Sequence, residues 1–508
     1  MRKISKVQIG ALLLVLSSLG SKALGVVRDV MFARSFGVGE AEGLYSLDAY
    51  FAAFRIPDFI YSLLIFGALS AAFVPLYTQF LQGGKKDEAD DFASQILNFL
   101  LVFLMMVIGL LWLTAPFFVP WLTPGFSDEL LKTTTELTRI MLLAPLFFTL
   151  SSLFQGIANS HKRFFGIALA PLLYNLSIIL ATLFFAERYG VYGVAWGVVV
   201  GAFMHALIQV PTLIKLRFRY RAILFKKTAE LREFLYLSIP RIFGLVGNQL
   251  GLFVDIFLAS LLPLGSIAIV NYALNLQSLP YAVVGISVST AVFATLAERA
   301  LNKNKDKFVL TIRASTNSIL FWVLPATVGL YILKEPIVDF LLQGGAFTEK
   351  DAMLTANVFG IYLFASFAQS LIPLFARSFY ALHNTKIPVL ISLVSVVFGA
   401  GLSVYLTQIA GWGVAGLAYS TFFSTLLQIV LLNLFLTRKL KNHFFALFDL
   451  QKLSTHLLLS AGMALIVFFL KNRFELELIQ LFLPALAGGI FYLGFSKINR
   501  TIPDVREE

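Results

Sequence analysis

Residues 21–37 read SKALGVVRDVMFARSFG, and most of them lie in an apolar stretch, residues 8–35, that is long enough to cross a membrane. The next apolar stretch, residues 47–81, is also interrupted by charge. Together the two stretches carry seven charged side chains: Lys22, Arg28, Asp29, Arg34, Asp48, Arg55 and Asp58. An ionisable group that faces lipid costs about 3 kcal/mol or more at the bilayer centre. We therefore expect these groups to face water, each other or a charged ligand, which predicts a polar cavity inside a membrane protein.

The composition excludes an ordinary soluble protein. The chain has 508 residues, of which 58% are hydrophobic and only 13% are charged. It contains no cysteine, which excludes disulfides and thiolate chemistry. A net charge of +12 would suggest nucleic-acid binding in a soluble protein, but here the basic loops of a membrane protein explain it, and no nucleic-acid partner is expected.

Hydropathy and helix-breaking residues predict an all-α polytopic membrane protein with about fourteen transmembrane helices. The predicted spans are 8–35, 47–81, 92–118, 131–158, 164–186, 190–215, 233–261, 266–300, 308–333, 352–383, 386–408, 412–437, 452–471 and 476–496. Basic loops such as 215–232 and 303–313 alternate with acidic loops such as 39–46 and 120–129. The positive-inside rule then predicts a multi-pass protein with both termini in the cytoplasm. No cleavable signal peptide is expected, because the first apolar run lacks a small-residue cleavage site.

An internal repeat at a spacing of about 220 residues organises these spans. Residues 27–33 resemble residues 253–259, and residues 190–195 resemble residues 410–415. Six spans per copy give parallel repeats, which in transporters flank a substrate site. The predicted organisation is an N-lobe (1–216), a basic amphipathic cytoplasmic linker (217–232), a C-lobe (233–438) and a final pair of helices with a cytoplasmic tail (439–508). Two six-helix lobes would surround a central cavity.

Longer motifs point to a known family. They are SKALGVVRD at 21–29, ARSFG at 33–37, DAYFAAFRIP at 48–57 and GALSAAFVP at 67–75. This ordered set resembles the MurJ (MviN-type) lipid II flippases of the MOP exporter superfamily. The resemblance implies a protein of the bacterial cytoplasmic membrane that moves the undecaprenyl-pyrophosphate-linked peptidoglycan precursor from the inner to the outer leaflet by alternating access. Two alternatives stay open, a flippase for another polyprenyl-pyrophosphate-linked oligosaccharide and a transport-inactive scaffold of the cell-wall machinery.

The chain departs from the family pattern at four positions. Lys22 stands where the family has an arginine, and Tyr61 replaces a second arginine. Phe66 stands in place of an acid, and Asn275 replaces a third arginine. These departures leave the head group of the transported lipid open.

The spacing of polar residues in the first two spans predicts a substrate site. Ser18, Ser21, Gly25 and Arg28 follow a 3-4-3 pattern and share one helix face, with Lys22 on an adjoining face. Arginine suits a pyrophosphate because it stays protonated and offers a fork of donors. The predicted substrate-binding residues are Arg28, Lys22, Ser21, Ser18, Gly25, Arg55, Asp48 and Arg241.

Several of the charged residues also have a structural interpretation. Arg28 could form an internal ion pair, Asp29 could pair with Arg34 or Arg55, and Arg241 could anchor the helix at the cytoplasmic interface. Asp255, an acid within an apolar span, and Asp29 are candidates for binding a coupling ion. Hydrogen bonding to neighbouring polar residues is the alternative for Asp255.

No enzymatic activity is expected, because no acid, base and nucleophile occur in a catalytic spacing. No metal-ligand cluster or Walker A sequence occurs either, so no cofactor is predicted. Any energy would come from Na+ or H+ coupling or from the membrane potential. The expected partners are lipid II or a similar polyprenyl-pyrophosphate lipid, membrane lipids and the peptidoglycan synthesis machinery. The protein is expected to be a monomer.

Overall fold

The structure is a computed structural model, and it describes residues 6–38, 43–63, 72–223, 228–471, 473 and 477–499. All regular secondary structure in these ranges is helical, apart from one isolated β-bridge between Gly344 and Phe347. The predicted all-α fold class is therefore confirmed.

The helices of the described residues follow one another along the chain with short connections. They are α1 (Lys6–Phe36), α2 (Leu47–Ser62), α3 (Val74–Gln82), α4 (Lys86–Leu122), α5 (Asp128–Met141), α6 (Ala144–Ser160), α7 (Phe165–Leu207), α8 (Val210–Lys215), α9 (Ala229–Ser260), α10 (Ser266–Pro280), α11 (Ile286–Leu301), α12 (Lys305–Ile332), α13 (Lys334–Leu342), α14 (Glu349–Ala381), α15 (Lys386–Val404), α16 (Gly413–Leu440), α17 (Leu450–Lys471) and α18 (Glu477–Ile498). Side chains at helix starts satisfy free backbone N–H groups, as where Thr348 and Asp351 form a capping box on α14.

The lengths of the helices suit a membrane protein. Ten helical stretches of the described residues are long and apolar enough to cross a bilayer, and they confirm a multi-pass membrane protein. One of them, Phe165–Lys215, has 51 residues, which as a straight helix would measure about 75 Å. It instead breaks at Gly190, whose backbone has φ 54° and ψ −140°. The break falls between the predicted spans 164–186 and 190–215.

The chain divides into two compact units. The N-terminal unit comprises Met1–Ile267 with Gly344–Phe347, and the C-terminal unit comprises Ala268–Gln343 with Thr348–Glu508. Helix α9 belongs to the N-terminal unit, although the repeat assigns residues 233–261 to the second copy. The lobe boundaries derived from the repeat stay a prediction.

Each unit has its own apolar core. In the N-terminal unit, α3, α4 and α6 meet where the rings of Phe73 and Phe92 stack at a centroid distance of 5.7 Å. Gly156 of α6 allows this approach, because a Cβ there would lie 2.7 Å from the Phe73 ring. In the C-terminal unit, Tyr492 of α18 donates a hydrogen bond to the Phe321 carbonyl of α12 at 2.8 Å. At least one role of the final helix pair is therefore to pack against α12.

The basic linker lies along α4. Among the described residues, 217–223 form no helix, and polar side chains of α4 bind their backbone. Asp90 accepts a hydrogen bond from the Arg219 N–H at 3.2 Å, and Ser94 accepts one from the Arg221 N–H at 3.1 Å. Asn98 donates to the Arg221 and Ile223 carbonyls, each at 3.1 Å. Residues 90, 94 and 98 are spaced by four, so one face of α4 holds the start of the linker.

Candidate functional site

Helices α1, α2, α6 and α7 of the N-terminal unit enclose a cavity of about 410 Å³. Three of the residues on its wall are prolines, which have a compact ring and no backbone N–H. The lining residues are Ser21, Lys22, Gly25, Arg28, Phe54, Pro57, Asp58, Tyr61, Ala144, Pro145, Phe148, Pro171, Tyr174, Asn175 and His205. Four of the eight predicted substrate-binding residues, all on α1, are therefore brought together at one cavity.

Arg28 carries the principal positive charge of this cavity. Its Nε and Nη2 donate to Oδ1 of Asp29 at 3.1 and 2.9 Å, and its Nη1 donates to Oδ1 of Asn175 at 3.3 Å. The Arg28 side chain keeps 24% of its surface exposed, against 12% for Asp29. These bonds use three of the five N–H groups of a guanidinium, which leaves two for a ligand. Arg28 therefore forms an internal ion pair and keeps two N–H groups without a partner among the described residues, and its role in substrate binding stays a prediction.

Asn175 fixes this arrangement across two helices. Its Nδ2 group donates to the Ser21 hydroxyl at 3.1 Å and approaches the carbonyls of Ser21 and Pro171 at 3.3 and 3.2 Å. The amide oxygen is thereby turned towards Arg28. Asn175 is buried and belongs to α7, whereas Arg28 and Ser21 belong to α1. Its hydrogen bonds to both residues therefore hold the guanidinium in place between the two helices. Asp29 forms an ion pair with Arg28 at 2.9 Å, which confirms an internal pair at this position of α1.

The other α1 residues divide between the cavity and its outside. Lys22 lines the cavity, its side chain is exposed, and no carboxylate of the described residues forms an ion pair with it. Gly25 has no atom within 4 Å of the position of a Cβ, so it leaves open space beside the cations. Ser18 is exposed and does not line the cavity.

The charged residues of α2 take different positions. Asp58 lines the cavity, whereas Arg55 does not and interacts electrostatically with both Asp58 and Asp255. The Nε atom of Arg55 is buried and forms no hydrogen bond with the described residues. Asp255 thus lies near a cation, which would compete with a bound coupling ion. Its role as a coupling-ion residue stays a prediction.

Asp48 lies outside the cavity, in a buried turn. It is 3% exposed, and its Oδ2 accepts a hydrogen bond from the Gly265 N–H at 2.8 Å. Gly265 has φ +92°, and a Cβ there would lie 1.8 Å from the Val38 carbonyl oxygen. The carboxylate therefore secures a tight turn between α9 and α10. The side chain of Arg241 lies outside the described residues, and its predicted role stays a prediction.

An aromatic cluster forms the remaining wall. The ring of Phe148 lies 4.3 Å from Tyr61, 5.2 Å from Tyr174 and 5.4 Å from His205, measured between centroids. His205 is 4% exposed, and its Nδ1 lies 2.7 Å from the Ser151 hydroxyl. The pattern of polar residues in the sequence does not predict Tyr174, Phe148 or His205 as site residues. Asn175 is likewise not predicted, and Asp58 is predicted only as one of the charged residues of the second apolar stretch.

Comparisons with known proteins assign the family. The profile of the family described as lipid II flippase MurJ matches residues 32–487. A Bdellovibrio bacteriovorus protein named "Probable lipid II flippase MurJ" is 32% identical over 438 residues, which cover 84% of this chain and 81% of the relative.

Solved structures agree with the profile. A structure described as "Lipid II flippase MurJ, inward closed conformation" has a TM-score of 0.80 and 27% identity, covering 96% of this chain and 98% of that chain. An inward-facing MATE-family multidrug transporter of the MOP superfamily has a TM-score of 0.68 at 13% identity, over 83% of this chain and 94% of that one, which shows a shared fold. The resemblance inferred from the motifs is confirmed, and the chain belongs to the lipid II flippase MurJ family.

Proposed function

We propose that this protein is a lipid II flippase that moves the undecaprenyl-pyrophosphate-linked peptidoglycan precursor from the inner to the outer leaflet of the bacterial cytoplasmic membrane. The protein is a transporter by family and not an enzyme. It works by alternating access, and both termini lie in the cytoplasm, as the distribution of basic loops favours. It acts as a monomer that receives its substrate from the peptidoglycan synthesis machinery.

The observation that carries the proposal is the position of Arg28 on a cavity that is also lined by α6 and α7, which belong to stretches long and apolar enough to cross a bilayer. Moving a pyrophosphate past hydrocarbon is prohibitive unless cations and hydrogen-bond donors replace its water. Two N–H groups of Arg28 and the ammonium of Lys22, which have no partner among the described residues, supply these. Lys22 adds a second positive charge beside Arg28, and the two cations balance the carboxylates of Asp29 and of Asp58, which also lines the cavity.

A second candidate, a flippase for another polyprenyl-pyrophosphate-linked oligosaccharide, is favoured by one observation. Tyr61, which stands in place of a family arginine, lines the same cavity. A pyrophosphate would still meet Arg28, but the head group beyond it would meet a different surface. Binding experiments with defined lipids separate the two candidates.

Native mass spectrometry of the purified protein tests the proposal. The protein is offered lipid II, undecaprenyl phosphate and phosphatidylglycerol, and retention of each lipid is compared between the wild type, Arg28→Ala and Lys350→Ala. Lys350 is an exposed cation on α14 and serves as the matched control. We expect selective retention of lipid II in the wild type and in Lys350→Ala, and its loss in Arg28→Ala, because the pyrophosphate then lacks its main donor. Equal retention of all three lipids, unchanged in Arg28→Ala, would contradict the proposal.

A further inference from the structure

The cavity of the N-terminal unit combines two kinds of surface. Helix α1 contributes cations, whereas α2, α6 and α7 contribute the aromatic cluster of Tyr61, Phe148, Tyr174 and His205. The two surfaces adjoin, because Tyr174 lies close enough to Arg28 for an electrostatic interaction. A ligand whose anionic group meets Arg28 would therefore place its neighbouring group against the aromatic cluster.

The aromatic cluster keeps polar atoms available. Phe148 is packed at its centre with 7% of its surface exposed, whereas Tyr61 and Tyr174 are half-buried. Neither tyrosine hydroxyl forms a hydrogen bond with the described residues. Neither hydroxyl is a buried atom that lacks a partner, so both are open to water or to a ligand. The hydroxyls of Tyr61 and Tyr174 belong to residues that line the cavity.

His205 adds a fixed polar atom to this wall. Gln209 donates a hydrogen bond to the Ser151 hydroxyl, and that hydroxyl lies 2.7 Å from Nδ1 of His205. The imidazole is thereby held by Nδ1, which leaves Nε2 as the nitrogen available to the cavity. If the Ser151 hydroxyl donates to Nδ1, then Nε2 of the neutral ring carries the hydrogen and donates. If the hydroxyl accepts from Nδ1, then Nε2 is an acceptor. A sugar hydroxyl can pair with Nε2 in both cases.

We propose that the aromatic cluster is the subsite for the sugar that is bonded directly to the pyrophosphate. A pyranose ring has an apolar C–H face, which packs on an aromatic ring, and an edge of hydroxyl groups, which needs donors and acceptors. Tyr61 supplies the ring face, and Nε2 of His205 and the Asp58 carboxylate supply the polar partners. An apolar wall with a few placed polar groups is the usual composition of such a site. This inference rests on the proposed function, since it takes the pyrophosphate to lie at Arg28.

Tyr61 makes the subsite particular to this chain. The resemblance to the family implies an arginine at this position, which would extend the anion-binding surface. An uncharged aromatic ring replaces charge with a stacking face and therefore shifts recognition from the phosphates towards the sugar. The exchange predicts that this protein distinguishes lipids by their first sugar.

Two ligands that differ only in the head group test the proposal. Undecaprenyl pyrophosphate shares the tail and the pyrophosphate of lipid II but lacks the sugar, and dissociation constants for both are measured by titration in detergent. We expect Tyr61→Leu to weaken binding of lipid II about five- to tenfold and to leave binding of undecaprenyl pyrophosphate within about twofold. Tyr236→Leu is the matched control, because Tyr236 on α9 is 77% exposed and lies outside the cavity.

A second variant covers the case in which Tyr61→Leu is not recovered as folded protein. Tyr61→Arg should strengthen binding of undecaprenyl pyrophosphate and reduce the preference for lipid II. Equal effects of either variant on both ligands, or no effect on lipid II, would overturn the sugar subsite. Failure of the proposed function has a different signature, since the wild type would then bind neither pyrophosphate lipid better than undecaprenyl phosphate.

Discussion

Replacing Arg28 by alanine is expected to reduce lipid II transport about a hundredfold, to the level at which cells that depend on this protein stop growing. The substitution removes the two N–H groups that no described residue binds and that a phosphate could use, and each charge-assisted hydrogen bond contributes about 1.5–3 kcal/mol. The measurement is rescue of a strain depleted of its own flippase, together with the amount of protein in the membrane.

The same substitution also removes the partner of Asp29, so loss of folded protein has to be separated from loss of transport. Arg28→Lys keeps the positive charge but not the planar fork of donors, and we expect it to retain part of the activity. Lys350→Ala, which removes an exposed cation, should rescue growth like the wild type. Full rescue by Arg28→Ala at a normal protein level would show that transport does not require Arg28.

Replacing Gly190 by valine is expected to destabilise the N-terminal unit. Gly190 has φ +54°, and a Cβ at this position would lie 2.0 Å from the backbone oxygen of Leu44. A β-branched residue with positive φ costs about 1–3 kcal/mol in strain, and the steric overlap adds to this cost. We expect an apparent midpoint of thermal unfolding that falls by about 5 °C or more, measured by size-exclusion chromatography after heating.

Gly109→Ala provides the matched control for a glycine in a long helix. Gly109 lies within α4, and no atom lies within 4 Å of the position of its Cβ. Because alanine favours a helix by about 1 kcal/mol over glycine, this variant should be as stable as the wild type or more stable. A Gly190→Val protein with an unchanged unfolding midpoint would show that the break in α7 does not require glycine.

The fold class could be predicted because it depends on local features. Length and apolar composition determine which stretches cross a bilayer, and Gly190 marks a break that hydropathy also indicates. On α1, helical periodicity placed Ser21, Gly25 and Arg28 on one face, and all three line the cavity. Ser18 satisfies the same spacing but lies beyond the cavity, since periodicity does not determine how far along a helix a cavity extends.

The rest of the site depends on contacts between distant segments. Asn175 orients Arg28 from 147 residues away, and Asp48 binds a backbone N–H 217 residues away. Neither contact leaves a periodic signal in the sequence around it. His205 is a lone histidine in an apolar span, and only the packing of α6 on α7 brings it to the cavity. Such residues can be identified as part of the site only when the tertiary structure is known.

The claim that Arg28 binds the pyrophosphate is tested most directly by replacing both residues of the Arg28–Asp29 ion pair. In the double variant Arg28→Gln/Asp29→Asn, both charges are lost, so the net charge of the pair is unchanged and amide groups remain to hydrogen-bond with each other. The measurement is the fraction of cellular lipid II that an externally added, membrane-impermeant lipid II hydrolase cleaves, compared with the wild type and Lys350→Ala.

If Arg28 binds the pyrophosphate, that fraction falls to the level of flippase-depleted cells in the double variant and stays at the wild-type level in Lys350→Ala. If the double variant exposes as much lipid II as the wild type, Arg28 serves only to neutralise Asp29, and the account of the cationic cavity is wrong.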